Sequence, residues 1–193
     1  MNLPNIFTVV RLFLTIVFLI LSQRAEVWAL YWAAGMFTLG ALTDFLDGYI
    51  ARKYQLFTDF GKIMDPIADK FLVLSAFFVF MQKGYFPGWM FYVIVVREVS
   101  VTVSRLFFVT NGKVLAAEFA GKAKTVLQML TIFFMLLISL LMYSTQDPSS
   151  WVFQQGTMAY VFVVVQLLMI MTVTLTLHSG LKYFWNNRQN FKA

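Results

Sequence analysis

DFLDGYIARKYQLFTDFGKIMDPIAD, residues Asp44 to Asp69, separates two strongly apolar segments and carries Asp44, Asp47, Asp65 and Asp69. The chain has 193 residues and nine acidic side chains, so these four are nearly half of its acids. On a helix Asp44 and Asp47, three apart, share a face; Asp65 and Asp69, four apart, do the same. Gly48 and Ala51 fall on the face of Asp44, with Arg52 about 80° further round at ~100° per residue. A charged side chain at a bilayer centre costs roughly 2.5–3.5 kcal/mol on insertion scales. Clustered carboxylates repel one another as well, so a cation must offset them. A hard divalent metal ion, held by oxygens from two facing helices, is the simplest candidate. The plainer alternative is a salt-bridge network in which Arg52 or Lys70 pairs the aspartates. Asp59 reads as a solvated loop or cap residue.

Composition sets the surroundings of this block. The chain is 60% hydrophobic and its mean hydropathy is +0.75. A soluble domain is nearer 45–50% apolar by a similar count, so the expected class is an all-α polytopic membrane protein. Residues 1–193 leave no room for a separate soluble domain and read as a single membrane domain. No cysteine is present, which excludes disulfides, thiolate nucleophiles and cysteine-based metal sites. The start, MNLPNIFTVVR, lacks a basic n-region and a small-residue cleavage site, so its apolar run is expected to be retained as a span. The net charge of +6 points to anionic headgroups or phosphorylated substrates rather than nucleic acid.

In order, residues 2–10 with Pro4 predict a short interfacial helix. Six spans follow, at about 8–22, 28–54, 61–81, 89–109, 122–143 and 151–178. Pro66 is expected to bend the third helix or to sit in its first turn. QKGYFPG, 82–88, is a turn, and STQDPSS, 144–150, is a link without a basic residue. Basic residues set the orientation. The loops after spans two and four and the C-terminus hold Arg52, Lys53, Lys62, Lys113, Lys122, Lys124, Lys182, Arg188 and Lys192. The opposite side holds Arg24 and Lys83. Both termini and the aspartate block are therefore expected to face the cytoplasm.

The block can be written D-x2-D-G-x2-A-R-x8-G-x3-D-x3-D, filled by Asp44, Asp47, Gly48, Ala51, Arg52, Gly61, Asp65 and Asp69. This resembles the signature of the CDP-alcohol phosphatidyltransferase family, with every position and spacing filled. The stretches NLPNIFTVVR, VREVSVTVSR (96–105) and GKAKTVLQM (121–129) extend the resemblance, and the spans after 130 add little. The resemblance implies transfer of a phosphatidyl group from CDP-diacylglycerol to an alcohol, with release of CMP. It implies two divalent cations, Mg2+ with Mn2+ as the alternative, on Asp44, Asp47, Asp65 and Asp69. Asp69 would also be the general base. Asp44, Asp47, Gly48, Ala51, Arg52 and Gly61 would surround the nucleotide. It also implies a homodimer in the cytoplasmic membrane. A divalent-cation transporter with aspartates along its path is the rival from another class.

Arg97, Arg105, Lys122 and Lys124, with Arg11 as a further member, form a second, basic constellation. Arg97 and Arg105 are eight apart, two turns on nearly one side of a helix. Arginine suits bidentate phosphate recognition, so these residues are candidates for holding an acceptor that itself carries a phosphate. The plain reading is snorkelling at the membrane face, together with a pair to Glu98. Choline or ethanolamine would be repelled, whereas glycerol 3-phosphate and inositol phosphate both fit. VREVSVTVSR and GKAKT favour glycerol 3-phosphate by resemblance, although Val96 and Ser104 depart from the usual pattern. A cardiolipin synthase or an inositol-phosphate enzyme is the alternative within the family. His178 stands alone as a packed or interfacial side chain, and the eleven Met and twenty-two Phe residues are packing or lipid-facing groups.

Overall fold

The computed structural model describes residues 3–54, 59–110, 119–144 and 155–188, with side chains described at 6–44, 64–108, 121–143 and 156–188. Among these residues the chain is all helix: α1 Leu3–Ser22, α2 Val27–Tyr54, α3 Asp59–Gln82, α4 Gly88–Thr110, α5 Phe119–Ser144 and α6 Gln155–Asn186. The interfacial helix expected at 2–10 is not a separate element, because α1 runs unbroken from Leu3. Pro4 falls in its first turn, where a missing N–H costs no helical hydrogen bond. Pro66 lies inside α3 rather than at its start. Helix α6 continues eight residues past the expected end at 178. The links at 55–58, 111–118 and 145–154 lie outside the described residues, and so does Lys113.

Two compact units are present. The first comprises residues 1–79 and 136–152, and the second 80–135 and 153–193. In the first, α1 packs on α2, with the Phe18 and Phe37 rings 5.7 Å apart. Gly40 of α2 faces Leu72 of α3 so closely that an added Cβ would stand 3.2 Å from the leucine methyls. In the second, α4 packs on α6, and the hydroxyls of Thr131 and Thr172 join α5 to α6 at 3.0 Å.

Helices α1 and α6 have an inverted amphipathic pattern. On α1, Ile6, Val9, Phe13, Ile16 and Ile20 are exposed, whereas Thr8, Arg11, Thr15 and Ser22 are buried. On α6, Val163, Leu167, Ile170, Met171 and Leu177 face outward, and Thr172, Thr176 and Ser179 face inward beside Val165, Met169 and Val173. Water would oppose that arrangement, and hydrocarbon favours it. Residues Gly121–Tyr143 and Gly156–Asn186 are long and apolar enough to cross a membrane. Three helical hydroxyls are satisfied locally: Thr15, Thr38 and Thr131 each donate to the carbonyl four residues back at 2.8 Å.

A left-handed glycine closes α3. Gly84 has φ of +76°. Its N–H donates to the Met81 carbonyl at 3.0 Å, and that of Tyr85 donates to Phe80 at 3.1 Å. The Phe80 and Tyr85 rings meet edge-on at 5.2 Å. This is a Schellman stop with its hydrophobic contact, and it sets the expected turn at 82–88. A Cβ at position 84 would meet no neighbour, so the cost of Gly84→Ala is conformational. That substitution should remove about 1–2 kcal/mol of stability and Gly84→Asn less, measured by denaturant titration in detergent micelles.

Candidate active site

Asp44 on α2 and Asp65 and Asp69 on α3 belong to the first unit. Asp44 is close enough to feel the charges of Asp69, Arg11, Lys70 and Asp65. Asp65 and Asp69, four apart on α3, therefore both lie within electrostatic reach of Asp44 on α2. Each of these three carboxylates has a partner. Arg11 Nη1 lies 2.8 Å from Asp44 Oδ1, with the arginine side chain fully buried and that of Asp44 40% exposed. The Thr8 hydroxyl donates to Asp65, and Lys70 pairs with Asp69. Thr8 and Arg11 are three residues apart on α1, so one face of that helix serves carboxylates on both α2 and α3.

The snorkelling reading of Arg11 fails, because its side chain is buried and its guanidinium lies against Asp44 rather than spread at a surface. Lys70 supplies the ion pair that the plainer reading of the aspartate block anticipates. Thr8 is a participant that sequence reasoning missed. Its signal was its position one helical turn before Arg11, on the face opposite Phe13 and Ile20. The backbones of Asp47, Gly48, Ala51 and Arg52 lie in α2 and that of Gly61 in α3, but their side chains lie outside the described residues.

Among the described residues no three His, Cys, Asp or Glu side chains are gathered as a metal cluster. The donor chemistry nevertheless fits a hard divalent cation. The set is all oxygen, it comes from two helices, and Arg11 and Lys70 show that cations already sit against these carboxylates.

The second unit has a different charge centre. Glu98 on α4 is 1% exposed. It accepts from Lys124 Nζ on α5 and from Gln128 Nε2 at 3.1 Å. Arg97 Nη1 approaches the same carboxylate at 3.4 and 3.5 Å, and its Nη2 donates to Ser179 Oγ on α6 at 2.8 Å. Arg105 is exposed, with its guanidinium carbon 5.8 Å from the centre of the Tyr183 ring. Lys122 is exposed and Lys124 is buried. The structure thus joins Arg97 and Lys124 through Glu98, and leaves Arg105 and Lys122 as outward cations. The pair to Glu98 is present as the plain reading expected; the contributions of Gln128 and Ser179 were not legible, because long-range packing creates them. His178 is exposed beside Trp185 and Arg188 at the end of α6.

The chain as a whole matches a known family. Residues 1–178 match CDP-alcohol phosphatidyltransferase, and the chain belongs to that family. It is 34% identical to the CDP-diacylglycerol--glycerol-3-phosphate 3-phosphatidyltransferase of Bacillus subtilis (strain 168), over 100% of this chain and 98% of the relative. A Rickettsia typhi (strain ATCC VR-144 / Wilmington) protein of the same name is 32% identical over 95% of each chain. A probable phosphatidylglycerophosphate synthase of Mycobacterium tuberculosis (strain CDC 1551 / Oshkosh) is 38% identical, over 68% of this chain and 64% of its own.

The α1 contacts carry a test. Arg11→Ala strips Asp44 of its buried partner and should cost about 1–3 kcal/mol of stability. Arg24→Ala, in the exposed link before α2, should cost less than about 0.5 kcal/mol. Adding Asp44→Asn to Arg11→Ala should cost less than the sum of the two single changes. Thermal unfolding in detergent reads all four variants.

Proposed function

We propose that this chain transfers the phosphatidyl group of CDP-diacylglycerol to sn-glycerol 3-phosphate, giving phosphatidylglycerophosphate and CMP. The observation that supports the reading is that Asp44 of α2 lies within electrostatic reach of Asp65 and Asp69 of α3, in a chain that belongs to this family. The names of the full-length relatives supply the acceptor.

Asp44, Asp47, Asp65 and Asp69 would hold two divalent cations, Mg2+ or alternatively Mn2+. When bound, these ions supply charge neutralisation of the pyrophosphate. Asp69, kept in place by Lys70, accepts the proton of the attacking hydroxyl. The hydroxyl oxygen forms a bond to the phosphorus that carries the diacylglycerol. The bond from that phosphorus to the bridging oxygen breaks, and CMP departs with the electron pair. Arg52 binds phosphate, and Gly48, Ala51 and Gly61 leave space for the nucleotide. Asp44 and Asp47 also border the nucleotide. Arg97, Arg105, Lys122 and Lys124 bind the phosphate of the acceptor. Catalysis rests on positioning and charge neutralisation, without a covalent enzyme intermediate.

In this reading the six helices are six spans of a cytoplasmic-membrane protein. Both termini and the aspartates face the cytoplasm, and the enzyme works as a homodimer. The inverted amphipathic pattern of α1 and α6 supports a bilayer as solvent.

The test is CMP release by protein purified in detergent, given CDP-diacylglycerol, Mg2+ and an acceptor. Release is expected with glycerol 3-phosphate and not with inositol phosphate or phosphatidylglycerol. It should fall at least about 100-fold in Asp69→Asn, as expected on removing a general base, and should be abolished by EDTA and restored by Mg2+. Full turnover in Asp69→Asn would overturn the base assignment, and preference for another acceptor would overturn the substrate.

A further inference from the structure

We infer that Glu98 is a positioning residue for the acceptor phosphate: with Ser179 and Gly180 of α6, it fixes the two inner cations, Arg97 and Lys124. This rests on the reading above, in which those cations hold that phosphate.

Two independent observations carry the inference. The first is the cost of the carboxylate. Glu98 is among the most deeply buried side chains of the chain, and a buried ion pair is commonly no more stabilising than apolar side chains of the same volume. Packing alone gives no reason for an acid here. Its contacts do, because one carboxylate receives Lys124, Gln128 and Arg97. Three long, rotamer-rich side chains from α4 and α5 are thereby brought to one point, and the entropy of ordering them is lost on folding rather than on binding.

The second observation is the seat of Arg97. A Cβ at Gly180 would stand 2.9 Å from Arg97 Cγ and 3.3 Å from its Nε, so the arginine passes where only a glycine leaves room. Its Nε is buried there without a hydrogen-bond partner among the described residues. Ser179, the preceding residue, takes Nη2 at 2.8 Å. Arg97 is thus held at both ends of its guanidinium group. Its approach to Glu98, 3.4 Å at best, is looser than that of Lys124. Glu98 orients Arg97 without fully claiming its charge, which suits a guanidinium meant for a second anion.

Glu98→Gln keeps the volume and removes the charge, and Gly180→Ala displaces Arg97 without touching Glu98. Each should raise KM for glycerol 3-phosphate, by about tenfold for Glu98→Gln. In both, kcat and KM for CDP-diacylglycerol should stay within about twofold. Binding of glycerol 3-phosphate alone, measured by calorimetry on the detergent-solubilised protein without lipid substrate, should weaken in parallel. A merely structural Glu98 would lower kcat through loss of folded enzyme and leave both KM values alone; that result overturns the inference. Unchanged KM in Gly180→Ala, with that variant folded, overturns it also. If the wild type uses another phosphorylated alcohol, the same KM shift toward that acceptor supports the inference. If it releases CMP only with an uncharged acceptor, or not at all, the activity reading itself falls, and the inference with it.

Discussion

An ionised side chain away from water must have a partner at hand, and both units of this protein are arranged to satisfy that requirement. The burial of one unpaired charge costs several kcal/mol even after relaxation. In the first unit, α1 answers it with Arg11 on Asp44 and Thr8 on Asp65, and α3 adds Lys70 on Asp69. In the second, Glu98 answers it for Lys124 and Arg97. With these groups inside beside core side chains such as Phe18, Phe37 and Met169, the remaining apolar residues face outward. That accounts for Phe13, Ile16 and Ile20 on α1 and Leu167, Ile170 and Met171 on α6 being exposed, while threonines and serines pack inside.

The helices were largely legible in the sequence because their signals are local. Apolar runs bounded by QKGYFPG and by polar links put α2 to α5 within about three residues of their observed bounds, whereas α1 begins earlier and α6 ends later than expected. The aspartate block was legible for a similar reason. Helical spacing alone sets Asp65 and Asp69 on one face, and an excess of acid in an apolar chain is conspicuous. What failed also has a physical cause. A proline near an N-terminus suggests a break, yet in the first turn it costs nothing, so α1 runs through the segment expected to form its own helix. Arg11 looked like an interfacial anchor because its partner, Asp44, is 33 residues away and pairing at that range leaves no periodic trace. Gln128, Ser179 and Gly180 were invisible for the same reason. Each matters through a neighbour on another helix.

Of the basic residues that the sequence grouped together, Arg11 pairs with Asp44, and the other four are of two kinds. Arg105 and Lys122 are exposed, and Arg97 and Lys124 are withdrawn and fixed. Exposed cations raise the local concentration of an anion and are screened by salt. Fixed, desolvated cations distinguish one anion from another, because they cannot follow a ligand that is shaped differently. A phosphorylated acceptor needs both properties, since phosphate is common in the cell and a particular phosphorylated alcohol is not. The residue that divides the group is an acid. In the reading proposed above, Glu98, by holding Lys124 and steering Arg97, would turn part of a general attraction for phosphate into a site of defined geometry.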